Sequence, residues 1–301
     1  MSELEDSLKL PVLDLDAPHE EPSLSSSSLL KACEEWGFLY VTNHGIPQNL
    51  FTKIWEFSDD VFCLCSDTKL KLGPSSCLKT YTPRLIASPY FESLRASGPD
   101  FFSSSEASIH ELFGQGRPEF SEMLQEYGSK MTKLSKRIIE IILESLGEGY
   151  EKFFDSEFEN CHGYMRISNY KPADSVKEKE VEGLGMHTDM CCITIVYQDE
   201  HVNIGDLMQA WSNGRLRSSE HRVVLRLFRN RLSLAFFWCF EDQKVIAEPD
   251  EIVGTRTPRI YSPFVCLKYV EFRESNEVGN FEKIGYTVKD FTGLKVGNAV
   301  I

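Results

Sequence analysis

The spacing of apolar positions along this chain changes near residue 160. Before that point they recur at helical intervals, and after it they alternate as in strands. The stretch FSEMLQEYGSKMTKLSKRIIEIILESLG predicts the longest helix, with apolar Met123, Leu124, Tyr127, Met131, Leu134, Ile138, Ile142 and Leu146 on one face and Gly147 at its end. LFTKIWEFSDDVFCLC predicts another, carried by Phe51, Ile54, Phe57, Val61, Phe62 and Leu64. SLSSSSLLKACEEWG predicts a third, with serines to cap its start and Gly37 to stop it. LPVLDLD and FLYVTNHG read as short strands, the second closed by a turn. Residues 73–118 are rich in Ser, Pro and Gly and predict loops over the core, with the aromatics of PYFESL and DFF packed inward. In the second half ITIVYQD, LSLAFFWCF and RIYSPFVCLKYVEF read as strands, and VNIGD and WSNG as turns. Helices followed by a β-rich half predict an α+β fold, a jelly-roll barrel with flanking N-terminal helices. No linker separates independent domains.

Composition narrows the function. The 301 residues carry a net charge of −14, which argues against nucleic acid or an anionic membrane surface as a partner. The nine cysteines form no CxxC pair and sit mostly in apolar runs, as small buried hydrophobes of a reducing compartment do. No stretch reads as a secretory signal or a membrane span. The expected location is the cytoplasm, with the nucleus as the alternative.

The candidate chemistry lies in MHTDMCCITIV and SSEHRVV. His187, Asp189 and the later His221 are two imidazoles and one carboxylate, a set that can occupy one face of an octahedral metal and leave the other open. A bare HxD is a weak signal. Here Arg231 and Ser233 follow His221 by ten and twelve residues, on an apolar, strand-like run. A guanidinium fork beside a hydroxyl suits the far end of a buried dicarboxylate. The alternative for Arg231 is an ion pair with one of the chain's many carboxylates. His44 reads as structural, and His201 as at most a replacement ligand. Tyr90, Phe91, Phe101 and Phe102 either line a pocket or belong to the core.

The chain resembles the plant 2-oxoglutarate- and Fe(II)-dependent dioxygenases, and among them the gibberellin 20-oxidase-like proteins. LPVLDLD and ACEEWGFLYVTNHGIP resemble the N-terminal block of that family. MRISNYKPAD and GMHTDMCCITIVYQDE resemble the start of its catalytic core, and VNIGDLMQAWSNGRLRSSEHRVV with NRLSLAFFWCF the end. The Leu-Pro-Trp-Lys block of true gibberellin 20-oxidases is absent; PRLIASPYFESL stands near its place. The resemblance implies three regions: 1–115 of the dioxygenase N-terminal type, a buttressing helix over 116–160, and a double-stranded β-helix core over 161–301. It implies Fe(II) on His187, Asp189 and His221. It implies 2-oxoglutarate on Arg231 and Ser233, with Tyr170 on the same carboxylate; a buried structural tyrosine is the alternative there. Ascorbate fits as an auxiliary reductant. The implied reaction is hydroxylation or oxidation of a small plant metabolite by a monomer, with O2 as the other substrate.

One departure matters. Only His201 separates YQDE from VNIGD, where the family has about twenty further residues, the length of about two strands. His187 and His221 are therefore only 34 positions apart. The expectation is a barrel lacking about two core strands. Two other readings stay open: a catalytically impaired isoform, and a cupin-like binding protein without a metal.

Overall fold

The computed structural model describes residues 11–16, 26–73, 80–84, 87–171, 180–197, 201–226, 230–250 and 258–293. Strand β1 (Val12–Asp14), helix α1 (Ser26–Glu35) and strand β2 (Phe38–Thr42) open the fold where the apolar pattern predicts them. Gly37 ends α1 with φ of +70°, and a Cβ there would lie 2.1 Å from the Arg217 carbonyl oxygen. Only glycine lets the 217–219 segment pass so close. Helix α2 (Gln48–Cys63) buries Leu50, Ile54, Val61 and Phe62, and the short α3 (Ser66–Lys69) follows.

The loops expected over 73–118 are largely regular structure. Strands β3 (Tyr81–Thr82) and β4 (Phe91–Ser97) are followed by helix α4 (Phe101–Phe113). Serine-rich composition hid this helix, because serine competes for backbone hydrogen bonds. Here Ser105 and Ser108 donate to the carbonyls of Phe101 and Ser104 one turn back, and Asp100 caps the start by accepting from the Ser103 amide. Phe101, Ile109 and Leu112 then bury against α5 (Pro118–Leu146) in one hydrophobic core. Helix α5 begins with proline at its first position and buries the predicted stripe from Leu124 to Leu146.

The second half contains β5 (His162–Tyr170), β6 (Glu180–His187), β7 (Ile193–Val196), β8 (His201–Ile204), α6 (Asp206–Trp211), β9 (His221–Arg226) and β10 (Arg231–Cys239). The chain closes with β11 (Val245–Ile246), β12 (Phe264–Val265), α7 (Cys266–Ser275) and α8 (Val288–Thr292). Two expectations change. VNIGD is mostly strand β8 rather than a turn, and the run CLKYVEF, expected as strand, is helix α7. Tyr269, Phe272 and Arg273 sit one helical turn apart there, and both aromatic rings pack on Phe291.

Eight strands form one sheet in the order β1-β2-β8-β7-β10-β5-β4-β3. One face, with Leu39, Ile195, Val202, Leu234, Phe236 and Ile167, is buried in the core that includes the α5 stripe. The other face carries Tyr40, Asn203, Thr194, Ser233, Arg231 and Tyr170 into a cavity. Alternation along each strand makes this division. Strand β8 pairs antiparallel with β7, Ile193 opposite Ile204, despite the single residue between the two sequence blocks. Opposite the large sheet, β6 and β9 pair only with each other among the described residues. The jelly-roll core is present, with a full sheet on one side and a two-stranded sheet on the other. No helix among the described residues is long and apolar enough to cross a membrane.

Candidate active site

His187 ends β6 and His221 begins β9, and the two face each other in the ladder after irregular register steps at Leu184 and His187. Their rings are 4.3 Å apart between centroids. Asp189 lies in the turn after β6. Its Oδ1 is 3.8 Å from His187 Nε2 and its Oδ2 is 3.8 Å from His221 Nε2. One ligand atom from each residue lies within 4.8 Å of the others.

Tautomers follow from the backbone. His187 Nδ1 is 2.7 Å from the Gly185 carbonyl and His221 Nδ1 is 3.0 Å from that of Ser219. A carbonyl only accepts, so each Nδ1 carries a proton and donates, and each Nε2 is left facing the Asp189 carboxylate. Burial and then the neighbouring His221 push the His187 imidazole down to about 4, so it is neutral near pH 7. Burial alone would raise the Asp189 carboxyl; His221, His187, Thr194 and Asn203 together hold it below the ordinary value. Two cis ligands of one octahedral ion, each at ~2.0–2.2 Å, sit about 3 Å apart. The donor set, its charge states and its spacing fit a divalent metal after small side-chain rotations.

Arg231 and Ser233 share the cavity face of β10, paired in register with Tyr170 and Ser168 of β5. The Arg231 guanidinium carbon lies 5.4 Å from the Tyr170 ring centre. These residues and the three candidate ligands line one cavity of about 740 Å³. All six residues singled out in the sequence therefore meet in one space. His201 lines the same cavity but lies outside the ligand cluster. His44 instead accepts from the Ile46 amide and packs by Tyr197. Phe91 lines the cavity, whereas Phe101 is core.

Sequence reasoning missed several groups. Asn203 Nδ2 donates to Asp189 Oδ2 at 3.3 Å. Its turn-like sequence hides it; in strand β8 it shares the parity of His201 and faces the cavity. Arg166 lines the cavity four residues before Tyr170, the separation that keeps two strand residues on one face. Nothing in the local pattern points to the buried Asp206–Arg273 pair beneath the Asp189 turn.

Comparison with known proteins gives the family. Residues 10–103 match the family model "non-haem dioxygenase in morphine synthesis N-terminal", and 161–240 match "2OG-Fe(II) oxygenase superfamily". A gibberellin 20-oxidase-like protein of Arabidopsis thaliana is 48% identical, covering 96% of this chain and 99% of the relative. That alignment runs over 327 positions, more than the 301 residues of this chain, so the relative carries residues that this chain lacks. Gibberellin 20 oxidase 1 of the same plant is 30% identical over 89% of this chain and 80% of its own length. Among solved structures, JOX2 in complex with 2OG, Fe and JA shares the fold, with a TM-score of 0.72 at 24% identity over 87% of this chain and 84% of that one. The rice dioxygenase for auxin oxidation superposes with a TM-score of 0.67 at 25% identity, over 88% and 95% of the two chains. With half its residues shared with one full-length relative and both halves matched by family models, the chain belongs to the 2OG-Fe(II) oxygenase superfamily, as a 2-oxoglutarate-dependent dioxygenase similar to plant gibberellin 20-oxidases.

Proposed function

We propose that His187, Asp189 and His221 hold the Fe(II) of this dioxygenase, that Arg231, Ser233 and Tyr170 bind the distal carboxylate of 2-oxoglutarate, and that the substrate is a small gibberellin-like metabolite which the enzyme hydroxylates or oxidises. The observation that carries this reading is the convergence of all six residues on one cavity. Bound iron supplies the activation of O2 that splits 2-oxoglutarate to succinate and CO2 and oxidises a C–H bond of the substrate.

The chain's own residues bind, orient and shield. The two Nδ1 protons, held by Gly185 and Ser219 carbonyls, keep both Nε2 atoms aimed inward. Asn203 fixes the Asp189 carboxylate. Arg231 offers a planar two-pronged donor and Ser233 a hydroxyl on the same strand face, matched to a carboxylate at the cavity wall. Phe91, Val223 and Phe237 give that cavity apolar surface for a hydrocarbon skeleton. Its volume is in the range of small-molecule sites, ~300–1,000 Å³.

A second reading, of an impaired isoform, is favoured by one observation: the His187 and His221 side chains are 22% and 30% exposed beside a second sheet of two strands. One set of experiments addresses both readings. Under anaerobic conditions, Fe(II) plus 2-oxoglutarate should give the visible charge-transfer band of a chelated keto acid, and Arg231→Ala should weaken 2-oxoglutarate by about 2–5 kcal/mol, or upward of about thirtyfold in Kd. Unchanged 2-oxoglutarate affinity in that variant refutes the role of Arg231. Absence of the band in the parent protein refutes the metal assignment. With ascorbate and air, succinate formed without oxidised substrate identifies the impaired form.

A further inference from the structure

The turn that joins His187 to Asp189 is gripped from outside the cavity by groups that touch neither the cavity nor the proposed metal. Thr188, the residue between the two ligands, is buried. Its hydroxyl donates to Asp206 Oδ2 at 2.8 Å. Arg273, on α7, donates through Nη1 to that same carboxylate oxygen at 2.8 Å and to the Thr188 hydroxyl at 3.1 Å, and through Nη2 to the Thr188 carbonyl at 3.0 Å. The Tyr269 hydroxyl, one helical turn earlier on α7, donates to Asp206 as well. The backbone completes the grip. The amides of Asp206, Leu207 and Gly205 donate to the carbonyls of Asp189, Cys191 and Cys192 at 2.8, 3.2 and 2.8 Å.

Asp206 is fully buried and Arg273 nearly so, with side-chain exposures of 0% and 13%. A buried ion pair is a poor device for stability alone, because desolvation offsets most of the attraction. What this pair does have is position. It holds the hydroxyl and the carbonyl of Thr188, so that residue and the peptide unit after it cannot rotate without breaking a charge-assisted bond. Rotation there is what would move Asp189 relative to His187.

From this geometry we infer that Arg273 and Asp206 are positioning residues for the metal site: a clamp through which helix α7 sets the spacing of His187 and Asp189. The inference rests on the reading of these two residues as metal ligands. It extends the functional machinery to a helix outside the stretch 161–240 matched by the catalytic family model. Groups that orient metal ligands typically govern affinity by about 10–100-fold.

The test uses the full chain and Co(II), which reports its own coordination through visible d–d absorption. Three variants are compared with the parent: Arg273→Met, Arg273→Lys and Lys69→Met. Lys69 pairs with Glu92 in another buried ion pair, at 2.7 Å, whose partners among the described residues include none from the turn, and serves as the control for loss of a buried charge. Expected is a 10–100-fold weaker Co(II) affinity in Arg273→Met with an altered d–d spectrum. Arg273→Lys should fall between, because an ammonium cannot span Asp206 and the Thr188 carbonyl as the guanidinium does. Lys69→Met should lower the melting temperature of the metal-free protein yet bind Co(II) like the parent. Parent-like Co(II) affinity and spectrum in Arg273→Met overturn the clamp, and if that variant does not fold, the same result in Arg273→Lys does so. Equal weakening in Lys69→Met also overturns it, since affinity would then follow general stability. Failure of the parent to bind Co(II) is a different result: it removes the ligand reading and leaves Arg273 a structural residue.

Discussion

His187 is the residue whose protonation should be felt by the whole molecule. An unfolded imidazole titrates near 6.5, and burial followed by His221 lowers the folded one to about 4. Between those values the unfolded chain binds the proton and the folded one resists it. The stability tied to neutral His187 is therefore intact above about pH 6.5 and is lost as pH falls toward 4. Chemical denaturation of the metal-free protein across that window should show the decline, and His187→Gln should flatten it. A decline of equal slope in the variant would assign the effect elsewhere. His187, Asp189 and His221 could be found because Arg231, Ser233 and the flanking family-like blocks single out an otherwise weak HxD, and Arg231 and Ser233 because a guanidinium in an apolar strand needs a partner. Asn203, Thr188, Asp206 and Arg273 could not be found that way. Each acts through a contact distant in sequence, and a polar residue at a strand end or on a helix face has many ordinary explanations.

Elements differ in the same respect. Helix α5 was legible because its apolar stripe is long and regular, so its period survives any local exception. Helix α4 was not, because its serines are satisfied by carbonyls one turn back and by packing on α5, neither of which composition records. Helix α7 was misread because aromatic and β-branched residues crowd a short run. The joint between β8 and α6 is the element-scale feature on which the site most depends. A Cβ on Gly205 would lie 2.1 Å from the Cys191 carbonyl oxygen, closer than any real contact. Gly205→Ala must therefore push apart β8 and the turn that carries Asp189. The expected result is a loss of about 1–3 kcal/mol, the usual scale for overpacking, with weakened Fe(II) binding in the same variant. A melting temperature and metal affinity both equal to those of the parent would show that the turn yields without consequence.

At the scale of the whole molecule, the short joint between YQDE and VNIGD bears on one sheet and spares the other. Strands in a jelly roll alternate in direction, so a loss of two, as the short joint implies, would leave the alternation intact. Strand β8 accordingly runs back along β7 in unbroken register, and the large sheet keeps eight strands. Opposite, β6 and β9 have no further strand partner among the described residues. Along β6 the Gly285 amide donates to the Met186 carbonyl and the Ser88 hydroxyl to that of Glu182, and a neighbouring strand would cover the pair more fully. The two strands also carry His187 and His221, both partly open to solvent. Covering that flank should therefore act on two properties at once. Inserting a family-like segment of about two strands between Glu200 and Val202 should raise the melting temperature by several degrees, at about 2–4 °C per kcal/mol gained. It should also move succinate production toward one equivalent per substrate oxidised, because a shielded site loses fewer turnovers to water. The two readouts separate the causes: higher stability with unchanged coupling means that the edge mattered and the cover did not. If the chain as it stands already equals the longer form in both, two strands suffice on that side of the barrel, and the impaired-isoform reading falls.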